Sequence, residues 1–194
     1  MTNVGCVVMA SGLSARFSGE KLLTPFLGVP LIVHALNALP DDLARAVVVT
    51  RSENVHAVAR IIKVDAILHE LPQRADTIRL GLERIGHDID QCFFLVGDQP
   101  RFTQQIMVDM MAMTEKYPDH IIRPRHGDRW GNPVLFPRST FDELMHLQPG
   151  ETGSAVIKRH SDMVVPYEIE DPLTLFDIDT CEQLDWLESQ TQKK

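Results

Sequence analysis

The chain has 194 residues, 44 % of them hydrophobic and 24 % charged, a balance that suits one globular domain with a real core and excludes disorder over its whole length. Lys and Arg total 19 against 27 Asp and Glu, a net charge of −8. Counterion release on nucleic acid therefore offers little, although a local basic patch could still take a small anion. No apolar run approaches the roughly 18 residues of a membrane helix. Met1-Thr2-Asn3-Val4 carries no basic stretch of a secretory signal. Cys6, Cys92 and Cys181 are far apart and form neither a disulfide framework nor a metal pair. A cytoplasmic protein, with no membrane or nucleic-acid partner, is the expectation.

In chain order, short β-branched runs alternate with amphipathic segments. Val4–Ala10 reads as a buried strand, Leu31–Leu39 as a helix and Arg45–Thr50 as a second strand. Glu53–Ile62 has helical period, Asp65–His69 is a third strand, and Ala75–Ile85 a helix bearing Ile78, Leu82 and Ile85. Cys92–Val96 is a fourth strand and Thr103–Lys116 the next helix, whose methionines suit an adaptable core. Ile121–Pro124 and Asn132–Phe136 read as short strands around a polar turn, and Ser139 as the cap of a helix reaching Leu147. Gly153–His160 is a short helix, Met163–Glu168 a strand and Leu175–Asp177 a strand end. Thr180-Cys181-Glu182-Gln183 fits a capping box opening the last helix, and the tail from Gln190 should fray. With no repeat or linker, residues 1–194 read as one α/β domain. It has three layers, with a mostly parallel sheet covered by helices on both faces.

In such a sheet, ligands bind beyond the carboxyl ends of the strands. The first strand is followed by Ala10-Ser11-Gly12-Leu13-Ser14-Ala15-Arg16-Phe17 and then Lys21. Small residues let backbone amides approach a phosphate, and two cations add charge; a plain strand-to-helix turn with solvated cations is the alternative. Six residues separate Gly12 from Gly19 and Glu20 follows, so this is no Walker loop, and no GxGxxG fingerprint exists. Asp98, after the fourth strand, is placed to hold Mg²⁺ beside a phosphate, or serves only in a turn before Pro100. Asp177 and Asp179 share one face of an extended segment and could join Asp98 on a metal, or simply precede a helix. The eight His lack zinc-site spacing. Arg123, Arg125, His126 and Arg129 lead into Trp130, a composition that suits an anionic heteroaromatic ligand or an ordinary charged loop.

Together these segments resemble the nucleotidyltransferase superfamily. Ala10–Phe17 with Lys21 is similar to its A-A-G-x-S-x-R-F/M-G…K loop, with Ser11 in place of Ala. Gly97-Asp98-Gln99-Pro100, Gly131-Asn132-Pro133-Val134-Leu135-Phe136 and Asp177-Ile178-Asp179-Thr180 resemble segments of its molybdenum cofactor cytidylyltransferase branch, near the guanylyltransferases. Gly150-Glu151-Thr152-Gly153 is similar to the G-D-x-G loop of that family. Two departures stand out: Cys181 replaces a Pro, and Arg74–Leu82 instead resembles the R-x-D-S-V-x-x-G-L segment of isoprenoid-pathway cytidylyltransferases.

The resemblance implies a Rossmann-like nucleotidyltransferase fold and transfer of CMP from CTP to the terminal phosphate of molybdopterin, with GMP transfer from GTP, or another acceptor such as a sugar or polyol phosphate, as alternatives. It implies catalytic Arg16, Lys21 and Asp98, and a nucleotide site of Ala10, Ser11, Gly12, Ser14, Asp76 and Thr77. It further implies acceptor contacts from Arg125, Gly131, Asn132 and Pro133, and Mg²⁺ on Asp98, Asp177 and Asp179. It admits a cofactor-insertion enzyme as a protein partner, and a delivery protein without catalysis as an alternative.

Overall fold

The computed structural model describes residues 2–12, 17 and 19–192. Its centre is an eight-stranded sheet. The strands are β1 (Val4–Ala10), β4 (Arg45–Thr50), β5 (Asp65–Leu68), β6 (Gln91–Val96), β7 (Ile121–His126), β8 (Arg129–Trp130), β9 (Val134–Pro137) and β10 (Val164–Glu168). Seven of them lie in the order β10-β7-β9-β6-β1-β4-β5, with β8 paired to β7. β1 runs parallel to both neighbours, β4 and β6. β9 alone along that path is antiparallel to both of its neighbours, β6 and β7.

Strand alternation divides the core between two faces. In β1, Cys6, Val8 and Ala10 join one cluster while Val7 joins the other. In β6, Phe93 and Leu95 oppose Cys92 and Phe94 in the same way. The first face is covered by α1 (Leu31–Asn37), α2 (Glu53–Ile61) and α4 (Gln104–Ala112), through Ile32, Ala59 and Met107 among others. The second is covered by α3 (Arg74–Ile85), α5 (Phe141–Met145) and α6 (Gly153–Arg159), through Ile78, Leu144 and Val156. This is the three-layer arrangement that continuous apolar strands between amphipathic helices dictate. A third cluster joins the last helix, α7 (Cys181–Thr191), to Phe17, Phe26, Leu31 and Ile178.

Four details differ from the sequence reading. A hairpin of β2 (Pro25–Phe26) and β3 (Val29–Pro30) precedes α1. Two-residue strands carry no readable period; the turn between them places Leu27 and Gly28 at positive φ, 50° and 80°. Ser139 is not a helix cap. A 3₁₀ turn over Arg138–Thr140 leads into α5, and Thr140 Oγ1 donates instead to the Pro137 carbonyl at 2.8 Å. Leu175–Asp177 is not a strand end. Leu175 closes a 3₁₀ turn begun at Pro172, where the Asp171 side chain accepts from Leu173 N–H, and irregular chain comes after it. Finally, α7 continues to Thr191, whose hydroxyl accepts from Arg101 Nη1 at 2.7 Å.

Gly81 lets α3 lie close against β1. A Cβ there would stand 2.4 Å from Val7 Cγ1, inside a fully buried, stiff side chain. Gly81→Ala should therefore destabilise the fold by about 1–3 kcal/mol. At roughly 2–4 °C per kcal/mol for this size, a thermal melt would register the loss.

Candidate active site

A cleft of ≈ 500 Å³ opens where β1 and β6 end, at the carboxyl edge of the sheet. Ser11 and Gly12 line one wall, and Gly97 and Asp98 the next. Gly97 permits the close approach of Leu22, since an added Cβ would meet Leu22 Cδ2 at 3.0 Å. Leu22 belongs to a 3₁₀ turn over Lys21–Leu23. That turn aims the buried Lys21 side chain into the cleft.

Among the described residues the Lys21 ammonium meets three acceptors. Nζ donates to Asp98 Oδ2 at 2.6 Å, to the Ile178 carbonyl at 2.8 Å and to Asp179 Oδ1 at 3.4 Å. The backbone supports this meeting, because Ile178 N–H donates to the Asp98 carbonyl at 3.1 Å. Asp179 N–H is held in turn by Gln183 Oε1 at 2.6 Å, within the capping box that Thr180 opens at the start of α7.

Asp177 lies on the same wall. Its Oδ1 accepts from Nε2 of the buried Gln99 at 2.7 Å, and Arg129 Nη2 stands 3.9 Å from Oδ2. Burial and the neighbouring Asp98 charge hold the Asp177 carboxyl above the usual carboxylate range. A cation between these groups would relieve that penalty, and hard divalent ions take oxygen ligands of this kind. Asp98, Asp177 and Asp179 all line the cleft as oxygen donors of this kind. Among the described residues, however, no three His, Cys, Asp or Glu side chains are already gathered around one point.

The remaining sequence candidates divide. Thr77 and Asn132 line the cleft. The Thr77 hydroxyl is buried and has no hydrogen-bond partner among the described residues. Ala10 lines an adjoining hollow with Gly12 and Lys21. Asp76 does not line the cleft; its carboxylate turns back to accept from Gln73 N–H at 3.1 Å and caps α3. Arg125 also points elsewhere, pairing with Glu168 and lying 5.2 Å from the centre of the Trp130 ring. Gly131 is packed against Leu175, and its carbonyl accepts from Arg123 Nε at 3.0 Å. Pro133 follows a cis peptide after Asn132. Ser14 and Arg16 lie outside the described residues.

Sequence reasoning missed Arg74, which lines the cleft at the first turn of α3. The signal was present, since Arg74 begins the R-x-D-S-V-like segment. It also missed Gln99 and the Ile178 carbonyl, whose roles are visible only once distant segments meet.

A mostly parallel sheet with helices on both faces and a cleft at the strand ends, walled by small residues, a lysine and carboxylates, defines the class of doubly wound α/β proteins. Within that class the chain belongs to the MobA-like NTP transferase domain family, whose profile matches residues 6–164. A probable molybdenum cofactor guanylyltransferase from Bacillus cereus is 26 % identical over 121 residues, covering 60 % of this chain and 59 % of that protein. The chain thus matches under two thirds of that relative's length. Rv0371c from Mycobacterium tuberculosis superposes with TM-score 0.83 at 20 % identity, over 97 % of this chain and 99 % of that one. Its complex with manganese has also been solved, and superposes at 0.74. The molybdopterin-guanine dinucleotide biosynthesis protein A of Archaeoglobus fulgidus superposes at 0.72, with 20 % identity over 98 % and 100 % of the two chains. At these identities the superpositions establish the shared fold.

The Thr180 cap is the joint between α7 and the cleft, its hydroxyl accepting from Gln183 N–H at 3.3 Å. Thr180→Ala should lower stability by about 1 kcal/mol, read as an earlier urea midpoint at unchanged slope.

Proposed function

We propose that this protein is a divalent-metal-dependent nucleotidyltransferase that moves CMP from CTP to the terminal phosphate of molybdopterin. An acceptor phosphate oxygen attacks the α-phosphorus, a new P–O bond forms, and the bond to the β-phosphate breaks to release pyrophosphate. The observation that carries this reading is the Lys21–Asp98 pair at 2.6 Å, set in a cleft at the strand ends. One partner is a cation suited to a phosphate and the other a hard-ion ligand.

Each group then has a task. Backbone amides of the Ala10–Gly12 turn receive the phosphates. Asp98, with Asp177 and Asp179, would hold Mg²⁺, which supplies charge neutralisation to the triphosphate when bound. Lys21 turns from its carboxylates to the α-phosphate and stabilises the charge that develops there, while Arg16 balances the departing pyrophosphate. Positioning and charge stabilisation supply most of the rate in such transfers. Arg74 and the buried Thr77 hydroxyl stand at the start of α3 to meet the base. The resemblance of Arg74–Leu82 to the isoprenoid-pathway cytidylyltransferases favours cytosine. Asn132, which lines the cleft, stands on the acceptor side.

A second reading is guanylyl transfer, favoured by the names of the Bacillus and Archaeoglobus relatives. Either reaction suits a cytoplasmic enzyme that passes its product to a cofactor-insertion partner. No helix among the described residues is long and apolar enough to cross a membrane.

Thermal melts with Mg²⁺ and each nucleotide separate the readings. A ligand at about 100 times its Kd adds about 2.7 kcal/mol, several degrees for this chain. We expect a shift with CTP that shrinks in Asp98→Asn; a shift with GTP alone selects the guanylyl reading, and none with any nucleotide overturns both. Lys21→Ala should lower pyrophosphate release by orders of magnitude in a folded protein, and near-normal release would remove Lys21 from the chemistry.

A further inference from the structure

Among the described residues, few atoms crowd Gly12, the last residue of the turn that would receive the phosphates. A Cβ added at Gly12 would meet none of their atoms within 4 Å. Polar anchors on the buried Ser11 hold the turn. Ser11 Oγ donates to the Val49 carbonyl at 3.0 Å, at the end of β4. The Ser11 carbonyl accepts from Arg51 Nε at 2.8 Å and also from Arg51 Nη2.

A further anchor is His69, just beyond β5. Leu71 N–H donates to His69 Nδ1 at 3.2 Å, so hydrogen-bond complementarity assigns the ring proton to Nε2. Nε2 then donates to Ser11 Oγ at 2.8 Å. The line is consistent at every atom: Leu71 amide to His69, His69 to Ser11, Ser11 to Val49. Burial and the nearby Arg51 hold the ring below the usual imidazole range, against the pull of Asp76, in keeping with a neutral ring. His69 N–H is itself fixed by the Thr50 carbonyl at 3.0 Å. Ser11 lines the cleft and His69 stands behind it.

We propose that His69 is a positioning residue for the nucleotide, acting through Ser11 to fix the turn whose amides meet the phosphates. The inference rests on the nucleotide reading of the cleft. It also gives the serine that replaces alanine in the family loop a task that alanine cannot perform. A side chain contributed by the β5 edge thereby bears on affinity for a ligand it does not touch.

The test is calorimetric binding of MgCTP and of MgGTP to the full chain, beside a thermal melt of each variant. His69→Leu removes the donor and should weaken binding about tenfold, the scale of one hydrogen bond. His69→Gln retains an N–H donor and should restore most of that loss. In a Ser11→Ala background, which lacks the acceptor, His69→Leu should cause no further loss. Unchanged binding in His69→Leu overturns the proposal. So does equal loss in the Leu and Gln variants, full additivity with Ser11→Ala, or a lower melting temperature with unchanged affinity of the folded protein. Wild-type protein that binds neither nucleotide overturns the reading of the cleft itself; binding that Lys21→Ala weakens and His69→Leu does not leaves that reading standing without the positioning role.

Discussion

One ammonium group joins three parts of the chain that are far apart in sequence. Lys21 reaches Asp98, Ile178 and Asp179, and in doing so brings the segment after β1, the segment after β6 and the entry to α7 to one point. A mostly buried charge is tolerable only with such company, since desolvation without partners would cost several kcal/mol. The carboxylates benefit in the same way. The arrangement also explains how charged groups come to line a cleft in an apolar fold: charges of both signs sit there in compensation.

The sheet supplies the rigid frame for this meeting of charges. β1 and β6 are adjacent, parallel and buried on both faces, so their ends emerge side by side. The antiparallel β9 delivers Asn132 to the same edge from the opposite direction. Residues that never approach each other in sequence converge because strand polarity and right-handed crossovers leave them no other place.

Much of this is legible in the sequence. β1 and β4 end where the apolar runs end, because β-branched residues buried on both faces leave an unbroken signal. Lys21 and Asp98 lie shortly past strand ends, where a parallel sheet presents its ligand site, while Thr77 and Asn132 are marked by the resemblance of their segments. Asp177 and Asp179 emerge from a strand argument, although the segment is irregular; extended chain preserves the i, i+2 relation without a ladder. The β2–β3 hairpin escapes because two-residue strands have no period. Asp76 caps α3 and does not line the cleft, which the sequence does not reveal because a capping carboxylate and a binding carboxylate look alike there. Arg125 cannot be separated from the acceptor site without seeing Glu168, its partner on β10.

The family profile ends at residue 164, short of Asp177. The contacts from Lys21 to residues 178 and 179, and the backbone bond from Ile178 to Asp98, therefore close the cleft with chain that leaves the ribosome after every strand of the sheet. A nascent chain carries every strand of the sheet before it carries these carboxylates. The order of synthesis thus adds Asp177 and Asp179 only after every strand of the sheet, together with the α7 residues that complete the third core cluster.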